Sequence, residues 1–373
     1  MNRLALNKKD TPYFIFWHAY LLAGLFLGGW IAQASSGLFQ VNSDNVNLAI
    51  RIESWGVYSS IFGFWLAQIF VYQKSIRTFP IYRGNLLNYQ IFLFFSTFFI
   101  LTYAAYVFYF NIENKNFYGT IPLFRPIFVV FETLFPFLIA FYFSKRQSSW
   151  NGLVVLLFFF CLLGFVVIGK RGVVVLSALC LAAVFGRSKY ILGPFLILTL
   201  LGVTSLKGEP EDFILLIVHA FFVHIREISL YTEFDGEYMG LTYIAGLFSW
   251  VPSELLEFKR EFSLGKVTRI LIGEGDDLYS SGGKRIGIFG EAYINFGFWF
   301  IPLIGVIYGF LSNLFLRKLR KIPLFIGLFL CLFFPLGFFE SGSDMFLGWY
   351  VFLVFAVSLR INLISKKPKY RSL

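Results

Sequence analysis

Residues 281–297 read Ser-Gly-Gly-Lys-Arg-Ile-Gly-Ile-Phe-Gly-Glu-Ala-Tyr-Ile-Asn-Phe-Gly, and here a polar stretch of the chain becomes strongly apolar. Small and cationic residues come first, and one carboxylate, Glu291, follows about one helical turn inside the apolar part. If the apolar part crosses a membrane, a carboxylate there is costly, which makes Glu291 a candidate functional residue. We expect the rest of the chain to hold this junction and the polar stretch before it.

The composition predicts a membrane protein. Of 373 residues, 58% are hydrophobic and only 14% are charged, and the mean hydropathy is +0.72. A soluble domain of this length would carry far more charge. We predict an all-α polytopic protein of about ten transmembrane helices. The predicted spans are residues 14–33, 55–73, 90–110, 127–143, 152–168, 172–186, 191–206, 288–314, 322–339 and 345–363.

The positions of the charges predict the topology. Lysine and arginine concentrate in six short segments, including both termini, which ten spans place on the cytoplasmic side. Between Lys207 and Arg285 lie 13 of the 21 acidic residues. We therefore predict an N-terminal bundle of about seven spans (1–206), a large periplasmic loop with short interfacial helices (207–287), and three spans with a cytoplasmic tail (288–373). Cations in short loops favour orientation signals over nucleic-acid binding.

Two pairs of cations lie on the predicted outer side. Lys170 and Arg171 occupy the turn between two spans, and Lys284 and Arg285 follow two glycines before the eighth span. Arginine binds phosphate bidentately and lysine adds a point charge, so these residues could bind a lipid diphosphate. The alternative is that each pair anchors a span end by extending toward the lipid headgroups.

His224 and Arg226 lie in an apolar part of the predicted outer loop. His219 and His224 are five residues apart, which does not match the four-residue spacing of a two-histidine metal face, and we predict no metal site and no cofactor. His224 is a candidate general base, with an interfacial histidine as the alternative. Arg226 could bind phosphate or sugar, or pair with Glu227 or Glu233. Glu291 could be a base, orient a sugar hydroxyl, or neutralise Arg285.

The layout and two short motifs resemble a known family. Ile168–Gly172 (IGKRG) resembles an Arg-Gly turn at an outer span end, and Gly290–Gly297 (GEAYINFG) resembles a Gly-Glu…Asn-Phe-Gly segment that follows a large outer loop. Both features are typical of the bacterial oligosaccharide repeat-unit polymerases of the Wzy-dependent pathway, which are related to the O-antigen ligases. The layout covers nearly the whole chain, whereas the motifs cover fewer than 20 residues.

This resemblance implies an inverting, metal-independent membrane glycosyltransferase of the GT-C type in the bacterial inner membrane, with its active site on the periplasmic side. It would polymerise undecaprenyl-diphosphate-linked oligosaccharide repeat units into O-antigen or capsular polysaccharide. On that basis Arg171 and Arg226 would bind the donor diphosphate, with Lys170, Lys284 and Arg285 assisting. Glu291 or His224 would be the base. A chain-length regulator and a flippase are possible partners, besides the membrane lipids.

Three other functions are compatible with parts of the pattern. An O-antigen ligase is the nearest rival, but His224 is the last histidine in the chain, and the ligases carry one late in the large loop. A lipid-linked oligosaccharide flippase or other transporter would have charges along several spans and no large outer domain. A structural subunit of an export complex would leave the outer cations unexplained.

Overall fold

The protein is represented by a computed structural model that describes residues 11–35, 42–70, 86–109, 130–131, 134–135, 152–168, 224–251, 255–271, 286–319, 327 and 330–358. Every regular element within these residues is helical, as predicted. The elements are α1 (Thr11–Ser35), α2 (Ser43–Phe70), α3 (Leu86–Tyr109), α4 (Gly152–Ile168), α5 (His224–Ile228), α6 (Leu241–Leu247), α7 (Glu257–Phe262), α8 (Leu264–Leu271), α9 (Gly287–Phe296), α10 (Ile301–Lys318), α11 (Gly337–Ser341) and α12 (Met345–Ser358). Short 3₁₀ turns lie at Phe298–Phe300 and Gly342–Asp344, and a π-helical turn lies at Leu332–Leu336.

Two stretches of the described residues are long and apolar enough to cross a membrane, namely Pro12–Ala34 and Phe298–Lys318. Leu93–Ala105 and Leu156–Phe165 are shorter apolar helical stretches. The predicted spans 172–186 and 191–206 lie outside the described residues. The number of ten spans therefore stays a prediction.

The eighth predicted span, 288–314, is not one helix, and this prediction was wrong. α9 ends at Phe296, and Gly297 has φ +81° and ψ 177°, a conformation that favours glycine and cannot continue a helix. After the 3₁₀ turn at Phe298–Phe300, α10 begins at Ile301 with a proline in its first turn, where the missing amide hydrogen costs nothing. The ten-residue α9 is too short to cross a bilayer.

α2 begins at Ser43, twelve residues before the predicted span 55–73. The side chain of Asn42 accepts a hydrogen bond from the Asp44 amide at 3.0 Å, and the Asn42 carbonyl accepts one from the Val46 amide at 3.2 Å. These are the bonds of a helix N-cap. The buried side of α2 then follows a spacing of three and four residues, at Val46, Ala49, Glu53, Gly56, Ser60, Gly63 and Ala67.

Small residues bring α2 and α10 into close contact. A Cβ added to Gly309 would collide with the Ser60 carbonyl, and one added to Gly63 would collide with the Val306 carbonyl. Farther along, the Asn313 side chain donates to the Phe64 carbonyl at 3.0 Å, so the two helices run parallel. Small residues spaced four apart allow this close backbone approach, which is a common way for membrane helices to associate.

α1 packs antiparallel to α2. Near one end Trp17 stacks on Phe64 with ring centroids 4.7 Å apart, and near the other Gly29 faces Ile50. α3 and α4 pack through Thr97, which accepts a hydrogen bond from the thiol of Cys161 at 3.0 Å. The relative directions of α1, α2 and α10 are those that the predicted topology requires.

Candidate functional site

The polar side chains of α9 form hydrogen bonds that hold the segment 232–242 against the helices. Glu291 is fully buried and accepts hydrogen bonds from the Thr242 hydroxyl at 2.6 Å, the Ser343 hydroxyl at 2.5 Å and the Ser343 amide at 2.7 Å. Asn295, one turn later, accepts from the Gly240 amide at 2.9 Å and donates to the Thr242 hydroxyl at 2.7 Å. One carboxylate and one amide thus connect three parts of the chain.

Backbone groups of α9 complete this attachment. The carbonyl of Tyr293 accepts from the Gly236 amide and that of Ile294 accepts from the Tyr238 amide, both at 3.0 Å. The phenol of Tyr293 donates to the Thr232 carbonyl at 2.7 Å. The last carbonyls of a helix lack some of their partners within the helix, and here the Tyr238 amide supplies one for Ile294, while the Tyr293 carbonyl accepts from Gly236 in addition to Gly297. The segment Gly290–Gly297, which carries the sequence resemblance, therefore shapes the adjoining loop.

Glu291 has surroundings that favour its neutral form more than water does. Burial raises the pKa of Glu291 to about 7, although the hydrogen bonds from Ser343 and Thr242 oppose this and Asp344 adds to it. A carboxyl group that titrates near neutral pH has the protonation behaviour of a general base. In this conformation, however, its oxygens are occupied by protein donors.

His224 lies between two carboxylates. Its Nε2 is 3.1 Å from Glu53 Oε1 on α2, and its Nδ1 is 3.3 Å from Glu340 Oε2 on α11. The other oxygen of Glu340 accepts a hydrogen bond from the Tyr20 hydroxyl at 3.1 Å. Burial disfavours the imidazolium, but the two carboxylates outweigh burial and raise the pKa of His224 to about 10. The two carboxylates thus favour the imidazolium over the neutral imidazole, which weighs against His224 as a general base, and that role stays a prediction.

His224 lies among the long helices. α5 belongs to the stretch 207–287 that we predict as an outer loop, yet it packs against α1 and α2. A Cβ added to Gly24 would lie 3.4 Å from Cε1 of His224, and Gly24 is near the midpoint of α1. The His224 cluster, defined as His224, Glu53 and Glu340, thus lies at half the length of a helix long enough to cross a membrane.

Arg226 lies two residues after His224 and forms an ion pair with Glu227, which is one of the alternatives left open by the sequence. Its side chain is 17% exposed. The four other predicted phosphate ligands, Lys170, Arg171, Lys284 and Arg285, lie outside the described residues. Within the described part of the chain, no group of three His, Cys, Asp or Glu side chains is arranged to hold a metal ion.

Glu53, Thr242 and Ser343 were not among the predicted site residues, and Asn295 entered the prediction only as part of the motif Gly290–Gly297. Thr242 and Ser343 are 49 and 52 residues from Glu291 in the sequence, so nothing local connects them to it. Glu53 could have been found, because small residues at a spacing of three and four extend back from Ala67 past Glu53 to Ala49. That spacing predicts one long helix with Glu53 on its packed face.

Comparison of this chain with protein-family models, with curated proteins and with solved structures finds no match.

Proposed function

We propose that this chain polymerises undecaprenyl-diphosphate-linked oligosaccharide repeat units by glycosyl transfer at the outer face of the bacterial inner membrane. The observation that carries the proposal is the attachment of the segment 232–242 to α9 through Glu291 and Asn295. The resemblance of Gly290–Gly297 to the polymerase segment singles out the same residues. The motif thereby has a physical role, because it holds in place one end of the predicted outer loop in which we expect the active site.

The surface of the helices supports a membrane location. α2 exposes the side chains Trp55, Tyr58, Phe62, Trp65 and Ile69, which recur at three and four residues along one face. α10 and the turn before it expose Trp299, Phe300, Leu303, Ile307 and Leu311 in a similar stripe. Large apolar stripes on the outside of a helical bundle are unfavourable in water and suit contact with lipid.

In the proposed reaction the acceptor sugar hydroxyl attacks the anomeric carbon that carries the diphosphate. A new carbon–oxygen bond forms, the bond to the diphosphate breaks, and the hydroxyl proton passes to a base. Undecaprenyl diphosphate leaves with its charge stabilised by cations, which we assign to Arg171 and Arg226 with Lys170, Lys284 and Arg285 assisting. The base is Glu291 or His224: the oxygens of Glu291 accept bonds from Thr242 and Ser343 in this conformation, and the carboxylates beside His224 favour its protonated form.

The test uses purified protein in proteoliposomes with undecaprenyl-diphosphate-linked repeat units from the source organism. We expect a ladder of polymer lengths that persists in EDTA, disappears in Arg171→Ala and weakens in Arg226→Ala. Lys318→Ala, at the predicted cytoplasmic end of α10, is the matched control and keeps the ladder. Folded wild-type protein that yields no ladder from matched substrate would contradict polymerisation and favour a ligase or a flippase.

One observation favours a second candidate, a proton-linked transporter of lipid-linked oligosaccharides. Tyr20, Glu340, His224 and Glu53 form a connected series of polar groups at half the length of α1. Ionisable residues buried between membrane helices often carry protons in transporters. Movement of a fluorescent lipid-linked repeat unit between leaflets, driven by a pH gradient and without polymerisation, would identify this function instead.

A further inference from the structure

The His224 cluster contains an excess of negative charge. One imidazolium faces two carboxylates, and Glu53 and His224 are each only 1% exposed. Removing one partner of a buried ion pair leaves an uncompensated charge, which costs far more than the pair contributes. Moving α5 away from α2 or α11 would separate these charges at a high cost, so the His224 cluster strongly restricts the position of α5.

Packing around the cluster leaves α5 little freedom. Gly287 has φ +64°, and a Cβ there would lie 2.6 Å from the Phe339 carbonyl oxygen and 3.7 Å from Cβ of His224. The ring of Phe339 contacts the imidazole edge to face, with centroids 5.0 Å apart. His224 is thus enclosed by α1, α2, α9 and α11, and its position is set before any substrate arrives.

The helix α5 couples His224 to Arg226. Residues two apart on a helix point about 200° apart, so the side chain of Arg226 leaves α5 on the side opposite to His224. His224 points into the bundle, whereas the side chain of Arg226 is partly exposed and contacts Glu227. The position of the guanidinium therefore depends on how α5 is held by the imidazolium.

We propose that Glu53, together with Glu340, is a positioning residue that acts through His224 to hold α5 and so places Arg226 to bind the diphosphate of the lipid-linked substrate. The proposal deepens the proposed function, because the diphosphate role of Arg226 belongs to that function. Glu53 is only 1% exposed, so it acts through His224 and not by contact with substrate. Its contribution is to keep His224 charged and fixed between α2 and α11.

The first test reads the charge of His224 directly and needs no substrate. The chain has three histidines, so ¹⁵N-histidine labelling with comparison to His224→Gln assigns the imidazole signal of His224 in detergent micelles. We expect Glu53→Gln to lower its titration midpoint by about one pH unit or more, since one of two facing carboxylates loses its charge. Asp44→Asn, an exposed change on the same helix α2, leaves it unchanged. An unaltered midpoint in folded Glu53→Gln would overturn the proposal.

The second test measures binding of undecaprenyl diphosphate itself, independent of turnover. We expect Glu53→Gln to weaken binding by about 5- to 10-fold, and Glu53→Asp, which keeps the charge, to restore part of it. Arg226→Ala should weaken binding by a similar factor. If Glu53 acts through Arg226, the double variant Glu53→Gln/Arg226→Ala binds no more weakly than Arg226→Ala alone. If the double variant instead loses affinity by the product of the two single-variant factors, the proposal is wrong.

Polymerisation activity distinguishes this proposal from the function on which it rests. The Glu53 mechanism predicts that the fall of activity at high pH moves to lower pH in Glu53→Gln, whereas a general loss of folding lowers activity equally at every pH. Suppose that wild type binds undecaprenyl diphosphate and that the double variant binds no more weakly than Arg226→Ala, but no polymer forms. The proposed polymerisation is then wrong and the positioning role stands. If polymer forms and Glu53→Gln has the wild-type pH profile, the positioning role fails alone. Should Glu53→Gln not fold, Glu340→Gln removes the other carboxylate that faces His224 and carries the same comparison.

Discussion

Glu291 and His224 are both fully buried, but their neighbours give them different electrostatic roles. Glu291 meets three neutral donors, which stabilise a carboxylate without cancelling its charge. His224 meets two carboxylates, which hold it as a cation. The favoured charge state of a buried polar residue thus depends on its partners. The partners of Glu291 and of His224 come from distant parts of the sequence.

Removal of the Glu291 carboxylate should destabilise the protein because it leaves the Thr242 hydroxyl and the Ser343 amide without an acceptor, and the Ser343 hydroxyl with only the Thr242 carbonyl at 3.4 Å. Each buried unsatisfied group costs about 1–3 kcal/mol. We expect Glu291→Ala to lower the melting temperature more than Glu291→Gln, whose amide oxygen still accepts one of these bonds. Thermal unfolding in detergent measures both, with the exposed Glu237→Gln as the control. Equal melting temperatures for Glu291→Ala and wild type would show that these hydrogen bonds contribute nothing.

The charge of His224 should make stability depend on pH. The pKa of His224 is about 10 in the folded protein and about 6.5 in an unfolded chain. Its stabilising contribution is therefore fully present below about pH 6.5 and is lost as the pH rises toward 10. We expect the melting temperature of wild type to exceed that of His224→Gln most at pH 6 and least near pH 10. A difference that grows with pH would contradict the assigned charge. Glu291 is present in both proteins and cancels from the comparison.

At the scale of elements, the close contact of α2 and α10 depends on the absence of side chains. Gly56 and Ser60 of α2 face Gly305 and Gly309 of α10, Gly63 faces Val306, and the backbones touch. Beyond the glycines, Arg317 donates to the Ala67 carbonyl at 3.1 Å and also bonds Gln68. A cation at the C-terminal end of α2 also interacts favourably with the helix dipole. Arg317 falls between the predicted spans 288–314 and 322–339, whereas it lies in the last turn of α10.

A single methyl group should test this contact. In Gly309→Ala the new Cβ collides with the Ser60 carbonyl and α10 must move, which we expect to cost roughly 1–3 kcal/mol of unfolding free energy. Gly29→Ala in α1 is the matched control, because its Cβ would meet Ile50 at an ordinary 3.7 Å. The control should be neutral or stabilising by about 0.4–1 kcal/mol, since alanine has less freedom in the unfolded chain. Equal effects of the two substitutions on unfolding would contradict close packing.

For the whole molecule, the sequence predicts helices well and their ends poorly. Hydrophobic runs predict the ends of α1 and α4 to within a few residues, because each of these helices ends where its apolar run meets polar residues. The break at Gly297 is hidden inside a continuous apolar run, and only the backbone conformation reveals it. Glu53 lies just before the predicted span 55–73. Hydropathy counts its charge against membership of a span and takes no account of which face of the helix it occupies. Its contact with His224 joins residues 171 positions apart, which no local pattern predicts.

The final prediction concerns the topology, on which the outer position of the site depends. Asn42 precedes α2 and is exposed, and we predict that it faces the periplasm, whereas Lys366 in the tail faces the cytoplasm. Single cysteines at each position, in a chain whose three native cysteines are replaced, should differ toward a membrane-impermeant maleimide. In intact spheroplasts we expect Asn42→Cys to be labelled and Lys366→Cys to be labelled only after permeabilisation. The reverse pattern would place α9 and the segment 232–242 on the cytoplasmic side, where they could not serve a periplasmic polymerase.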